Sequence, residues 1–166
     1  MADTQKKFEL PQEVPAETLI NLLPHKGKMF LLDHLTQHDT TARTLESVSL
    51  VTKEHIFYDE SLDGIPSYIA FEFIAQSISA LSGVTGYEMG RPAIPGFILS
   101  IVNYKAEVLS FKVGTSIHVK IKKIDEFENI MTYSGEAFSS ENPSVPAVVT
   151  TITVMETDDL QVLRNN

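Results

Sequence analysis

Residues 64–83 read Gly-Ile-Pro-Ser-Tyr-Ile-Ala-Phe-Glu-Phe-Ile-Ala-Gln-Ser-Ile-Ser-Ala-Leu-Ser-Gly, and Glu72 is the only charged side chain between Asp63 and Glu88. A helix of this composition has no polar face to offer water, so other elements have to bury it all round. Pro66 suits the first helical position, where a missing N–H costs nothing, and Gly83 can supply a left-handed stop. A membrane span is disfavoured. The run holds Ser67, Gln76, Ser77, Ser79 and Ser82, and lipid would penalise its central carboxylate by about 3 kcal/mol. Burial raises the pKa of a carboxyl, which is one way to make a general acid that works near neutrality. The alternative is a buried carboxylate satisfied by a structural hydrogen bond.

The rest of the chain can supply the cover. With 166 residues, 43% of them hydrophobic, it suits one domain with a full core. There are no cysteines, hence no disulfides and no thiolate metal site. Met-Ala-Asp-Thr-Gln-Lys-Lys at the start lacks the apolar centre of a signal peptide, so a cytoplasmic location is expected. A net charge of −9 argues against nucleic-acid binding, which needs clustered Lys and Arg. It also requires an acidic protein partner to dock on a local basic patch.

In chain order, residues 1–13 form a polar lead-in. Val14–Leu23 suits a short helix with Pro15 early, ended by Pro24. Met29–Leu32 is an apolar run of strand length between Gly27 and Asp33. Thr40–Val51 alternates and predicts a second strand, antiparallel to the first through a turn near His38-Asp39-Thr40. Residues 52–63 keep neither period and lead as a loop into the apolar helix. Val84–Pro95 reads as a connection. Strand-like segments follow at Gly96–Lys105, Thr115–Ile124, Asn129–Phe138 (with Gly135 as a possible bulge) and Val145–Met155. The single domain is placed at 14–157, and 158–166 is a tail. The class is α+β: an antiparallel sheet wrapped around one long buried helix.

That order resembles the hotdog fold, and three segments are similar to its 3-hydroxyacyl-acyl-carrier-protein dehydratases. Leu23-Pro24-His25-Lys26-Gly27-Lys28-Met29-Phe30-Leu31-Leu32-Asp33 is similar to the family's opening Leu-Pro-His segment. Ile65–Gln76 is similar to its Pro-Gly-x-x-x-x-Glu-x-x-Ala-Gln helix start. Gly96–Ile101, continuing through Tyr104, Val108 and Val113-Gly114, is similar to its third strand and the turn after it. The Gly-Ile-Pro-Ser-Tyr variant ahead of the Glu looks most like the dehydratases of aryl-polyene pigment clusters.

The resemblance implies a His and an acid brought together across a dimer interface, homodimeric or formed with another hotdog dehydratase. Glu72 takes the acid position. Ser67 takes the position whose backbone N–H polarises the thioester carbonyl, and Gln76, one turn beyond Glu72, is a candidate to orient the site. The usual His-Phe-Pro histidine is absent; an ungapped alignment puts Tyr58 there, and His55 is three residues away. His25 is preferred as the base because Pro24 fixes the chain beside it, and His55 is the second candidate. His34, His38 and His118 look like strand or turn residues facing water. Phe71, Phe97, Ile98 and Leu99 are candidates to line the acyl chain.

The implied reaction turns a (3R)-3-hydroxyacyl thioester into the trans-2-enoyl thioester. It needs no metal and no cofactor beyond the phosphopantetheine arm of an acyl carrier protein. Lys26, Lys28, Arg91, Lys105 and Lys112 are candidate docking charges for that acidic partner. Three alternatives remain: a hotdog acyl thioesterase, a non-catalytic subunit of a heteromeric dehydratase, and an acyl-binding module.

Overall fold

A computed structural model describes residues 7–159; residues 1–6 and 160–166, parts of the expected lead-in and tail, lie outside them. The strands are β1 (Val14–Pro15), β2 (His34–Asp39), β3 (Thr44–Leu50), β4 (Gly64–Pro66), β5 (Gly96–Ala106), β6 (Ser110–Lys112), β7 (Ser116–Phe127), β8 (Ile130–Ser139) and β9 (Val148–Glu156). The helices are α1 (Ala16–Leu19) and α2 (Ala70–Met89). Seven strands form one sheet in the order β1-β2-β3-β7-β8-β9-β5, each pair antiparallel. β4 and β6 pair separately beside the start of α2.

The inward row of each strand follows from its period of two. Leu45 and Ser47 on β3, Ile117, Val119 and Ile121 on β7, Met131, Tyr133 and Ala137 on β8, and Val148, Ile152 and Val154 on β9 are all buried. They share the core with Phe73, Ile74, Ala80, Leu81 and Val84 of α2. Full burial of one such side chain contributes about 1.5–3 kcal/mol. Ser47 and Ser77 share a buried hydroxyl pair at 2.8 Å, so polar atoms in this layer satisfy each other. By length and composition residues 67–89 could cross a membrane, but most of the stretch is buried inside the protein, where the sheet does what lipid would do.

Four expectations are corrected. Pro66 belongs to β4; a 3-10 turn over Ser67–Ile69 intervenes before α2. α2 runs on past Gly83 to Met89 and stops at Gly90, whose φ of 67° is left-handed, so half of the expected connection 84–95 is helix. Met29–Leu32 is not a strand. It leaves a 3-10 turn at Gly27–Met29 and runs on irregularly to β2. Gly135 makes no bulge: it pairs in regular register with Ile121, and Ile74 of α2 lies over it.

Described lead-in residues pack rather than trail. The N–H groups of Lys7 and Phe8 donate to Glu88 O, and the Phe8 ring lies 5.8 Å from that of Tyr87. His38 is buried, not facing water, and its Nε2 donates to Pro11 O at 2.8 Å.

Gly83 has a different task from stopping a helix. A Cβ there would fall 2.2 Å from the carbonyl oxygen of Leu22, so only glycine lets the 22–25 segment lie directly on α2. Helix propensity alone would make Gly83→Ala stabilising by roughly 0.5–1 kcal/mol. Contact with a backbone atom reverses the sign, and a loss of about 1–3 kcal/mol is expected in urea unfolding.

Candidate active site

The loop between α1 and β2 is anchored to α2 at two points. Leu22 O rests against Gly83. Further on, Gln76, completely buried on α2, donates from Nε2 to Met29 O at 2.6 Å and accepts from Leu31 N–H at 3.0 Å. Lys26 Nζ closes the bend by donating to Leu23 O at 2.8 Å and to Ile20 O. His25 lies between these anchors.

Glu72 is in the first turn of α2, half-buried, and Gln76 Nε2 reaches its Oε1 at 3.5 Å. His25 and Glu72 line one cavity of about 310 Å³, enclosed further by Ala75, Ile78 and Ser79 of α2, Phe97 and Ile98 of β5 and Val154 of β9. Partial burial lowers the pKa of His25 below the ordinary histidine value, against the opposing pull of the Glu72 carboxylate. Its Nδ1 is buried without a hydrogen-bond partner. A neutral imidazole and a carboxyl therefore face the same apolar space. The expectation of a carboxyl sealed among apolar neighbours is corrected: Glu72 opens into the cavity.

His55 is elsewhere. Its ring stacks on Phe73 at 5.5 Å, its Nδ1 accepts from Phe57 N–H at 3.2 Å, and its Nε2 is buried without a partner. Burial lowers its pKa too, but the carboxylate pulling back is Asp33. It borders a separate depression with Lys28, Phe30 and Asp33, where Glu72 is not present.

The other candidates divide. Phe97 and Ile98 line the cavity, whereas Phe71 is half-buried against the core and does not. Ser67 cannot offer its N–H to a carbonyl, because that group donates to Leu109 O at 3.0 Å; its own carbonyl accepts from the Tyr104 hydroxyl at 2.6 Å. Tyr104, pushed up to about 12 by burial, sits against the backbone amides of Phe71 and Ala70 at the helix start. Gln76 has both amide atoms on the 29–31 backbone, so it positions the site rather than touching a ligand.

A family model described as ApeP dehydratase, of the ApeP-like group, matches residues 17–164. The chain belongs to the ApeP-like dehydratase family. It is a lyase that removes water. No curated protein sequence matches it. Among solved structures it is similar to the dehydratase heterocomplex ApeI:P from Xenorhabdus doucetiae, with a TM-score of 0.78 and 19% identity over 89% of this chain and 97% of that one. A thioesterase from Haemophilus influenzae gives a TM-score of 0.60 and 12% identity, over 94% of this chain and 96% of that one. The PaaI protein of Escherichia coli, from the phenylacetic acid degradation operon, gives 0.55 and 7%, over 73% and 80%. At these identities the structural likenesses establish the hotdog fold and nothing finer.

In this dehydratase the cavity also holds Ser79, Ser82 and Glu156, none of which stood out in the sequence. The signal was there. Ser79 and Ser82 follow Glu72 by seven and ten residues, two and nearly three helical turns. Glu156 continues the inward row Val148, Thr150, Ile152, Val154. All five proposed docking charges are exposed; of them Lys26, Arg91 and Lys112 donate to backbone carbonyls, Arg91 to Pro92 O at 3.1 Å and Lys112 to Leu62 O at 2.7 Å.

Replacing Gln76 by Leu would leave Leu31 N–H and Met29 O buried and unpaired. A loss of about 2–4 kcal/mol is expected in denaturant unfolding. Turnover of the folded fraction should fall as well, because the loop that carries His25 is released.

Proposed function

We propose that the chain dehydrates (3R)-3-hydroxyacyl thioesters carried on the phosphopantetheine arm of an acyl carrier protein, in polyene biosynthesis. The observation that carries this is the shared cavity of His25 and Glu72. Neutral His25 takes a proton from C2, which the thioester carbonyl acidifies. The C3–O bond breaks as the C2=C3 bond forms, and Glu72 gives its proton to the departing hydroxyl, which leaves as water. The positive end of α2, where Glu72 stands, favours negative charge building on the thioester oxygen. An acyl chain filling the apolar cavity displaces water and strengthens these electrostatic effects.

The family background supports the elimination, and two features support the carrier and the second chain. Lys28, Arg91 and Lys105 are exposed cations in a chain of net charge −9, available to an acidic carrier. β5 ends the sheet, is eleven residues long, and exposes Ile98, Leu99 and Val102. An edge of this kind is a site for adding another strand, here from a second hotdog dehydratase chain or a second copy. ApeI:P is described as a heterocomplex.

Incubation with a 3-hydroxyacyl thioester should produce enoyl absorbance without free thiol; thiol release would instead favour the thioesterase alternative. His25→Ala and Glu72→Gln are each expected to reduce kcat by about 10²–10⁴ while unfolding transitions stay near wild type. His55→Ala should cost far less, and a larger loss there would reassign the base. Because His25 acts neutral and its pKa is lowered from 6.5, kcat/KM should hold as pH falls to 6.5 and decline only below it. An acid limb lying above that value contradicts the assignment.

A further inference from the structure

The two ends of β5 do different work. Phe97 and Ile98, near its start, line the cavity, and Tyr104, near its end, reaches the root of α2. Between them the strand bulges. Val102 and Lys105 pair with Thr151 and Val149, so three steps on β5 run against two on β9. Thr150, buried opposite the bulge, donates from Oγ1 to Val102 O at 2.9 Å. Asn103 takes a left-handed φ of 53°, which costs any residue but glycine. Plain alternation would put Ile101 and Tyr104, three apart, on opposite faces. The extra residue turns both onto the core side, while Val102 and Lys105 stay exposed. Strain of this kind is retained where a side chain has to be re-aimed.

What the bulge re-aims is the Tyr104 phenol, which donates to Ser67 O at 2.6 Å. The same carbonyl accepts from Ala70 N–H, and Ser67 N–H donates to Leu109 O. Neither the 3-10 turn at Ser67–Ile69 nor α2 is capped by the side chain of its N-cap residue. Tyr104 does that work from another strand. Glu72 follows Ser67 by five residues. The side-chain hydrogen bond it makes among the described residues, from Gln76 Nε2, is 3.5 Å long, too long to hold a carboxyl in place. The turn beneath Glu72 therefore decides where its carboxyl stands. Resting on the dehydratase reading, we propose that Tyr104 is a positioning residue for Glu72. By tying Ser67 to β5 it fixes the first turn of α2, and so the reach of the carboxyl to an acyl chain lying against Phe97 and Ile98. Tyr104 itself is not part of the cavity wall, and it acts through Glu72. Burial pushes its phenol up to about 12, so it remains a donor at every working pH.

The test uses the full-length protein with a 3-hydroxyacyl pantetheine thioester as substrate. Tyr104→Phe keeps the ring and removes only the hydroxyl. It should lower kcat per folded molecule by about 10- to 100-fold, as a small misplacement of a reacting group does. KM should stay within about twofold, because the lost alignment matters in the transition state and not in binding. The pH profile should keep its shape, since the phenol carries no proton in the reaction. Thr150→Val loosens the bulge without touching Tyr104 and should reproduce part of the loss in kcat. Wild-type kcat in Tyr104→Phe, a rise in KM alone, or a changed pH profile overturns the proposal. A crystal structure of Tyr104→Phe reads the tie without any chemistry. Displacement of the turn 67–72 and of the Glu72 carboxyl supports it, and a turn superimposable on the wild type overturns it. Absence of dehydration by the wild-type protein would fail the reaction assignment instead, and the crystal structure would then decide the role of Tyr104 on its own.

Discussion

One buried amide holds the site together. Gln76 joins α2 to a loop forty-five residues away in sequence, satisfying a backbone donor and a backbone acceptor that would otherwise be buried unpaired. Gly83 does the complementary work two turns further on, by having no side chain where the same loop crosses the helix. Between these contacts the bend carries His25 into the wall of the cavity. The imidazole and the carboxyl of Glu72 are therefore neighbours because of packing behind them, not because of an attraction between them.

The sheet supplies what the helix lacks. α2 is too apolar to be stable on its own in water, and seven antiparallel strands give it an inward row on each of β3, β7, β8 and β9. At the β9–β5 end the wrap is incomplete. There the helix face that carries Glu72, Ala75, Ser79 and Ser82 looks into open space instead of side chains. Hotdog thioesterases share this frame, so the chemistry is decided by what lines that space.

Much of this was legible beforehand, and the misses have physical causes. The near-absence of charge between Asp63 and Glu88, with Glu72 alone, marked the buried helix, alternation marked β3 and β7, and the Val-, Thr- and Ile-rich run 145–155 marked β9. Gly83 misled because a glycine in a helix can mean a stop or a close approach, and spacing alone does not distinguish them. Met29–Leu32 misled because its burial comes from Gln76 and the core, not from strand pairing. Ser67 stood at the right place in the motif, yet its N–H pairs with Leu109 through the β4–β6 ribbon, two three-residue strands too short to leave a periodic trace. The sequence favoured His25 over His55 only through Pro24 beside it, since each stands in a loop. Only the fold shows that one shares a cavity with Glu72 and the other stacks on Phe73 facing Asp33.

The measurement that bears most directly on the elimination site is a crystal structure of the protein with a 3-hydroxyacyl pantetheine analogue that cannot eliminate. The expected complex has C2 of the acyl group facing His25, and its 3-oxygen within about 2.6–3.2 Å of the Glu72 carboxyl. The acyl chain should continue along α2 inside the cavity. A complex with the acyl chain outside that cavity, or with another histidine opposite C2, would contradict it.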